Sequence, residues 1–152
     1  MRIGVDVGSV RVGVAASDRS GMLASPVETL RRDPRTGADV EALGVLTAER
    51  EAVEVVVGLP RSLNGSEGPA AQAARDYARA LARRVAPVPV RLADERLSTV
   101  TATKSLIASA PKAGARKRRE HIDQAAAVVI LQAALDAERA TGTPPGDLVA
   151  PD

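Results

Sequence analysis

Residues 3–15 read IGVDVGSVRVGVA, and this stretch sets the expectation for the fold. Its two β-branched runs, residues 3–7 and 10–16, flank a Gly-Ser turn signal, which predicts an antiparallel pair of strands. A third strand is predicted over residues 22–29, where Pro26 indicates an edge position because its missing N–H is tolerated there. The chain therefore opens with an antiparallel meander.

Helices and strands alternate after the meander. The predicted elements are helices over residues 39–51, 69–85, 98–110 and 122–139, and short apolar strands around residues 53–60 and 88–93. The order βββαβαβαα indicates an α/β fold with a mixed five-stranded sheet, made of the meander and two parallel strands and flanked by helices. One domain is expected over residues 1–140, with residues 141–152 as a flexible C-terminal tail.

Composition excludes several classes of protein. A chain of 152 residues without cysteine fits one domain and excludes disulfides, thiolate zinc sites and thiol nucleophiles, which favours the cytoplasm. No apolar run is long enough to span a membrane. Tyr77 is the only aromatic residue, so base-stacking platforms are missing. A nucleic-acid partner would be held through phosphates, sugar hydroxyls and shape.

A basic segment precedes the last predicted helix. Residues 112–121 read KAGARKRREH, although the formal net charge of the whole chain is only +2. Its candidate phosphate ligands are Arg116, Lys117, Arg118 and Arg119. The alternative interpretation is a solvated loop, as most charge runs are. His121 is the only histidine, and is a candidate for proton transfer or an ordinary surface residue.

The loop GLPRSLNGSEGP, which follows the first parallel strand, resembles a phosphate cradle leading into a helix. Asn64 and Gly65 are its central candidates. The loop lacks the Walker spacing and its lysine, so nucleotide binding in the P-loop manner is not expected.

Three acidic positions lie where predicted buried elements begin or end. Asp6 interrupts an apolar strand, and Asp123 opens the last apolar helix. A buried carboxylate is costly unless it is paired, hydrogen-bonded or bound to metal. Converging carboxylates would bind Mg²⁺ or Mn²⁺. The alternatives are a turn hydrogen bond for Asp6 and a helix cap for Asp123.

The third position follows the last strand and has two candidates. Alternation places Asp94 on the face of Leu92 and Glu95 on the opposite face, and these residues alone do not choose between them. Arg96 beside them is a candidate partner for either acid or for a phosphate.

Taken together, these segments resemble the YqgF family of ribonuclease H-like proteins, which is associated with pre-16S ribosomal RNA processing and is related to RuvC-type Holliday junction resolvases. The resemblance covers residues 1 to about 140. Four motifs carry it in order along the chain: GVDVGSVRVGVA, VVVGLPRSLNGSEGP, DERLST and HIDQAAAVVIL.

The resemblance implies a ribonuclease H-like fold in which Asp6, Glu95 and Asp123 bind Mg²⁺ or Mn²⁺ and catalyse phosphodiester hydrolysis. Two ions about 3.5–4 Å apart would share Asp6 as a ligand. The expected nucleic-acid contacts are Asn64, Gly65, Arg96, Arg116, Lys117, Arg118 and Arg119. Many nucleases of this fold carry a second acid on the last helix, within a turn of the first. This chain is expected to depart from that pattern, because Glu120 is expected to lie before the helix.

The function expected is endonucleolytic processing of the 5′ end of pre-16S RNA, with structured RNA, branched DNA and the ribosome as partners and a monomer or homodimer as the assembly. One alternative is resolution of four-way DNA junctions, which requires a two-fold dimer. Another is a scaffold that binds RNA without cutting it. The first motif also resembles the phosphate-contacting hairpin of sugar kinases and actin-like ATPases, but those enzymes close two such domains over a nucleotide.

Overall fold

The protein forms a six-stranded mixed sheet with helices on both faces in a computed structural model, which describes residues 1–62, 64–95 and 115–151. The strands are β1 Arg2–Val7, β2 Arg11–Ser17, β3 Ala24–Arg31, β4 Glu54–Leu59, β5 Val90–Asp94 and β6 Asp147–Val149. The helices are α1 Ala38–Glu49, α2 Pro69–Val85 and α3 Ala115–Thr141. The helix predicted over residues 98–110 falls outside the described residues. None of the described helices is long and apolar enough to cross a membrane.

The strand order is β3-β2-β1-β4-β5-β6. The first three strands pair antiparallel, whereas β1–β4 and β4–β5 pair parallel, so the predicted meander and two parallel strands are confirmed. β3 is an edge strand, and Pro26 pairs with Ala15 directly after a register shift. A proline is accommodated there because the outer side of the strand needs no N–H donor.

The predicted count of five strands is wrong by one. β6 pairs antiparallel with β5, and Val149 is buried against the main core. This strand lies within residues 141–152, the segment expected to form a tail. Three residues are too few to display the alternation that identifies a strand in sequence, and the preceding TGTPPG suggests only a turn.

The predicted start of the last helix is also wrong. α3 begins at Ala115 rather than near Ile122, so Asp123 lies inside the helix and does not cap it. Glu120 is in the same helix, three residues before Asp123, which corrects the expectation that it precedes the helix. Apolar periodicity starts only near Ile122, but the arginines and lysine before it are good helix formers.

The two faces of the sheet pack against different helices. Ile3 and Val5 alternate with Gly4 and Asp6 along β1. Ile3 and Val5 join the core formed with α1 and α2. Gly4 faces the other side of the sheet, where a Cβ on it would lie 2.6 Å from Cβ of Leu131 on α3. Since alternate residues of a strand face the same side, Asp6 faces α3 as well.

α3 runs antiparallel to β3. Thr29 near the end of β3 donates a hydrogen bond from Oγ1 to the carbonyl of Glu120 at 3.0 Å. Near the other end of the helix, Arg139 donates to the carbonyl of Gly21 at 3.1 Å. The first half of α3 therefore covers the end of the sheet where β1, β4 and β5 have their carboxyl ends. Ligands of open α/β sheets bind at such ends.

Candidate active site

Asp6 is the centre of a row of residues that crosses five strands at one level. Asp6 pairs with Gly13 on β2, which pairs with Thr29 on β3. On the other side, Val5 pairs with Val57, so Gly58 is the next residue beside Asp6, and Gly58 pairs with Ala93 on β5. The row contains one charged side chain, and that residue is only 4% exposed. The two glycines leave space on both sides of its carboxylate.

The first glycine lets α3 approach the sheet closely. A Cβ on Gly13 would lie 2.0 Å from the carbonyl oxygen of Asp123 and 2.4 Å from its carbonyl carbon. Contact between two backbones at this point is possible because Gly13 has no side chain. As a result, Asp123 lies over the strand next to Asp6, on the same face of the sheet.

The second glycine provides space for Glu95. A Cβ on Gly58 would lie 3.0 Å from Oε2 of Glu95, 3.2 Å from its Cγ and 2.5 Å from Cδ1 of Ile130. The carboxylate of Glu95 therefore lies over β4, on the α3 side. Asp94 instead pairs with Leu59, whose side chain belongs to the opposite core, and forms an ion pair with Arg61 at 3.4 Å. Glu95 shares the face of Asp6.

The three predicted acids thus lie around one part of the sheet, with Asp123 on one side of Asp6 and Glu95 on the other. Their carboxylates do not, however, form a metal-coordination shell in this arrangement. Within residues 1–62, 64–95 and 115–151, no three acidic, histidine or cysteine side chains are placed so that they could hold one metal ion.

Asp123 makes a contact that the sequence analysis missed. Arg11 on β2 donates a hydrogen bond from Nε to Oδ2 of Asp123 at 2.7 Å, and the two side chains are 31% and 15% exposed. Arg11 lies two residues before Gly13 and so shares its face of the strand. The signal in the sequence is a charged residue at the start of an apolar strand, β2.

The basic candidates lie on the first turns of α3. Lys117 and Arg119 are exposed and Arg118 is half-buried, while His121 is exposed one turn after Lys117. The side chain of Arg116 and the whole of Arg96 lie outside the described residues. The described basic side chains therefore surround the end of α3 that covers the acids, and together they favour an anionic partner.

The loop between β4 and α2 is stabilised by its own polar groups. Oδ1 of Asn64 accepts hydrogen bonds from the hydroxyl of Ser62 at 2.5 Å and from the N–H of Ser66 at 3.0 Å. Gly65 has a φ of 87°, which favours glycine. The side-chain oxygen of Asn64 thus closes the turn. The sequence analysis did not predict this structural role.

Glu67 attaches this loop to α2. It accepts hydrogen bonds from two nitrogens of Arg75, both at 2.7 Å, and one from Arg61 at 3.1 Å. These bonds, chiefly those from Arg75, lower the pKa of Glu67 to about 2. Because Arg61 also pairs with Asp94, this arginine connects the loop to the end of β5.

A partly buried set of polar contacts supports the turn after Asp6. Arg32 donates a hydrogen bond to the carbonyl of Gly8 at 3.1 Å, and its guanidinium lies 5.8 Å from the ring centroid of Tyr77. The Tyr77 hydroxyl in turn donates to Oδ2 of buried Asp39 at 3.0 Å. Burial, followed by the adjacent Asp39 charge, raises the pKa of Tyr77. The two helices α1 and α2 are thereby connected to the β1–β2 turn.

Comparison with known proteins gives consistent results at the level of sequence and fold. A relative from Thermobifida fusca with the name "Putative pre-16S rRNA nuclease" is 58% identical over 98% of this chain and 95% of its own length. A relative of the same name from Streptomyces coelicolor is 55% identical over 96% of this chain and 86% of its own length.

Among solved structures, RuvC of Thermus thermophilus in complex with a Holliday junction substrate superposes with a TM-score of 0.57, at 14% identity, over 95% of this chain and 98% of that one. At this identity the similarity establishes the RuvC-like, ribonuclease H-like fold expected from the sequence. The model of the family described as "RuvX: Holliday junction resolvase" matches residues 1–137. With this match over nine-tenths of the chain and relatives above 50% identity, the protein belongs to the RuvX family.

Proposed function

We propose that the protein is a metal-dependent endonuclease that processes precursor 16S ribosomal RNA. The observation that carries the proposal is the position of Asp6, a buried acid between two glycines. Asp123 lies against one of these glycines and Glu95 against the other. Burying a carboxylate costs free energy, so a fold that places two more acids around it favours a cationic ligand. The names of the close relatives support the choice of substrate.

The donor set fits Mg²⁺ or Mn²⁺ by its chemistry. All three proposed ligands are carboxylates, the oxygen donors that hard divalent ions prefer. The space between them is preserved by Gly13 and Gly58, where a Cβ would collide with Asp123 or approach Glu95. Asp123 also accepts a hydrogen bond from Arg11 through Oδ2.

Such ions, held by the three acids, would activate a water molecule and stabilise charge on the leaving oxygen. The residues of the chain have other tasks. Asp6 is fixed by the central strand and sets the position of the site. Lys117, Arg118 and Arg119 bind phosphates on either side of the cleaved bond, where guanidinium and ammonium groups donate to phosphate oxygens. His121 is exposed close by and remains the candidate for proton transfer.

The mode of nucleic-acid binding follows from composition. With a single, buried tyrosine and no phenylalanine or tryptophan, the protein exposes no phenyl or indole ring on which to stack bases. Recognition then depends on phosphates, sugar hydroxyls and the shape of a folded RNA. A structured precursor presented by an assembling ribosome meets this requirement, and the proposal places the reaction in the cytoplasm.

Resolution of Holliday junctions is the second candidate. It is favoured by the family description and by the fold shared with a RuvC that was solved on a junction. A resolvase makes two symmetric cuts and needs a two-fold dimer. A dimer at assay concentration with paired cuts in a four-way junction would therefore favour this candidate, whereas a monomer that cuts precursor RNA favours the first.

The deciding experiment compares the wild type with Asp6→Asn on precursor 16S RNA and on a four-way DNA junction, each with Mg²⁺, Mn²⁺ or EDTA. The matched control is Asp76→Asn, an exposed acid on α2 that pairs with Arg79. Wild type and Asp76→Asn should cut the RNA only with metal, and Asp6→Asn should not cut at all. Full cleavage by a folded Asp6→Asn variant would refute the proposed site. RNA binding by the wild type without any product would identify a scaffold instead.

A further inference from the structure

We infer that Arg11 and the catalytic cation compete for the carboxylate of Asp123, so that Arg11 is released to bind a substrate phosphate when metal enters. The inference rests on the proposed function, because it assumes that Asp123 is a metal ligand. It assigns a role to a residue outside the acids, the basic segment and the loop considered above.

Geometry places Arg11 inside the site and not at its rim. Its Nε lies 2.7 Å from Oδ2 of Asp123, and its strand position is two residues from Gly13, the residue beside Asp6. The carboxylate is mostly buried, with 15% of the side chain exposed, whereas 31% of the arginine side chain is exposed. The arginine side chain therefore contacts the acid while part of it remains accessible to a phosphate from solution.

Electrostatics explains why the pair forms without metal. Asp6 is almost fully buried, and Asp123 lies over the neighbouring strand, so two negative charges are held in poorly solvated surroundings. A positive group beside Asp123 offsets their repulsion. A divalent cation would do this better, and its charge would repel the guanidinium. The freed guanidinium has the planar geometry that binds phosphate through two hydrogen bonds.

A different role for Arg11 predicts the opposite result. If the arginine only oriented Asp123 for the metal, removing it would loosen the carboxylate and weaken metal binding. Under competition, removal leaves the carboxylate available and tightens metal binding. The sign of the change in Mn²⁺ affinity therefore separates the two roles without any measurement of cleavage.

The test is titration of metal-free protein with Mn²⁺, followed by the electron paramagnetic resonance signal of free Mn²⁺. Arg11→Gln should bind Mn²⁺ about 5-fold or more tightly than the wild type, the usual size of coupling between linked sites. The matched control is Arg31→Gln, because Arg31 pairs with Arg11 across the strands and is exposed. It removes the same charge nearby and should change the affinity much less.

RNA affinity provides the second readout. In EDTA, Arg11→Gln and wild type should bind structured RNA equally. With Mn²⁺, Arg11→Gln should bind it more weakly than wild type. A gel run after each measurement checks that the RNA is still intact. Equal or weaker Mn²⁺ binding by Arg11→Gln would overturn the inference, as would a tightening of the same size in Arg31→Gln. If Arg11→Gln does not fold, Arg11→Lys is tested instead and should also bind Mn²⁺ more tightly than the wild type. Lysine keeps the positive charge but reaches less far toward Asp123.

Asp6→Asn in the same titration keeps the two hypotheses apart. Loss of Mn²⁺ binding in Asp6→Asn with no tightening in Arg11→Gln would refute only the competition. Undiminished Mn²⁺ binding in Asp6→Asn would refute the metal site, and the inference with it.

Discussion

Gly13 on β2 lies directly beneath the backbone of Asp123 on α3. The position that a Cβ would take on Gly13 is 2.0 Å from the carbonyl oxygen and 3.1 Å from Cα of Asp123. Both neighbours belong to regular elements, so neither moves without shifting a helix against a sheet. The distance between Asp123 and Asp6 therefore depends on the absence of a side chain at this position.

Substitution Gly13→Ala should lower the free energy of unfolding by about 3 kcal/mol, the upper part of the usual range for overpacking, because the added methyl group meets backbone atoms. Urea denaturation measures this change. The control is Gly68→Ala, since nothing lies within 4 Å of a Cβ at Gly68. It should change the free energy of unfolding by less than about 1 kcal/mol. Equal effects of the two variants would show that α3 does not approach the sheet as described.

Gly58→Ala should harm cleavage more than stability. Its Cβ would meet the flexible end of Ile130 at 2.5 Å and the Glu95 carboxylate at 3.0 Å. Adding Ile130→Val removes the atom in collision, so the double variant should regain thermal stability. Cleavage should stay low because Glu95 remains displaced. Recovery of both properties in the double variant would mean that the position of Glu95 does not matter to the reaction.

Much of this fold follows from local sequence signals. The Gly-Ser turn between two β-branched runs, the apolar strand around VEVVVG and Pro69 at the start of α2 are each local, and the structure confirms them. β6 was missed because three residues carry no periodicity of their own. Its place at the edge is fixed by pairing with β5, which is a contact between distant parts of the chain.

The site was harder to predict than the fold. Sequence identified Asp6 and Asp123 as costly acids in apolar elements, but the choice of Glu95 over Asp94 needed the family resemblance. Arg11 was missed because its partner is 112 residues away. Sequence analysis likewise assigned no role to Gly13 and Gly58, because the close approach of α3 and of Glu95 to the sheet is visible only in three dimensions.

The basic start of α3 should determine the salt dependence of RNA binding. Lys117→Gln with Arg119→Gln removes two exposed charges beside the proposed site. Affinity for RNA should fall for all sequences alike, and the slope of log affinity against log salt should become shallower by about 1.4–1.8, the value for two lost phosphate contacts. Fluorescence anisotropy of labelled RNA between low and moderate salt measures both quantities.

The matched control for this pair removes two exposed arginines at the opposite end of the sheet. Arg19 lies in the β2–β3 turn and Arg50 follows α1, and both are exposed. Arg19→Gln with Arg50→Gln makes the same change in net charge and should leave the slope unchanged. A similar loss of slope in both double variants would assign RNA binding to overall charge instead of to α3.

Tyr77 should titrate only at strongly alkaline pH, together with unfolding. Burial and the charge of Asp39 raise its pKa, so folding favours the protonated phenol. This contribution to stability is complete below the unfolded value of about 10 and decreases as the pH rises above it. As the only tyrosine, Tyr77 can be followed alone by phenolate absorbance. Tyr77→Phe should lower the free energy of unfolding at neutral pH by about 1–3 kcal/mol, since Asp39 loses a buried donor, and should lack the alkaline decrease. An ordinary phenolate titration near 10 in the folded protein would show that Tyr77 is not held between Asp39 and Arg32.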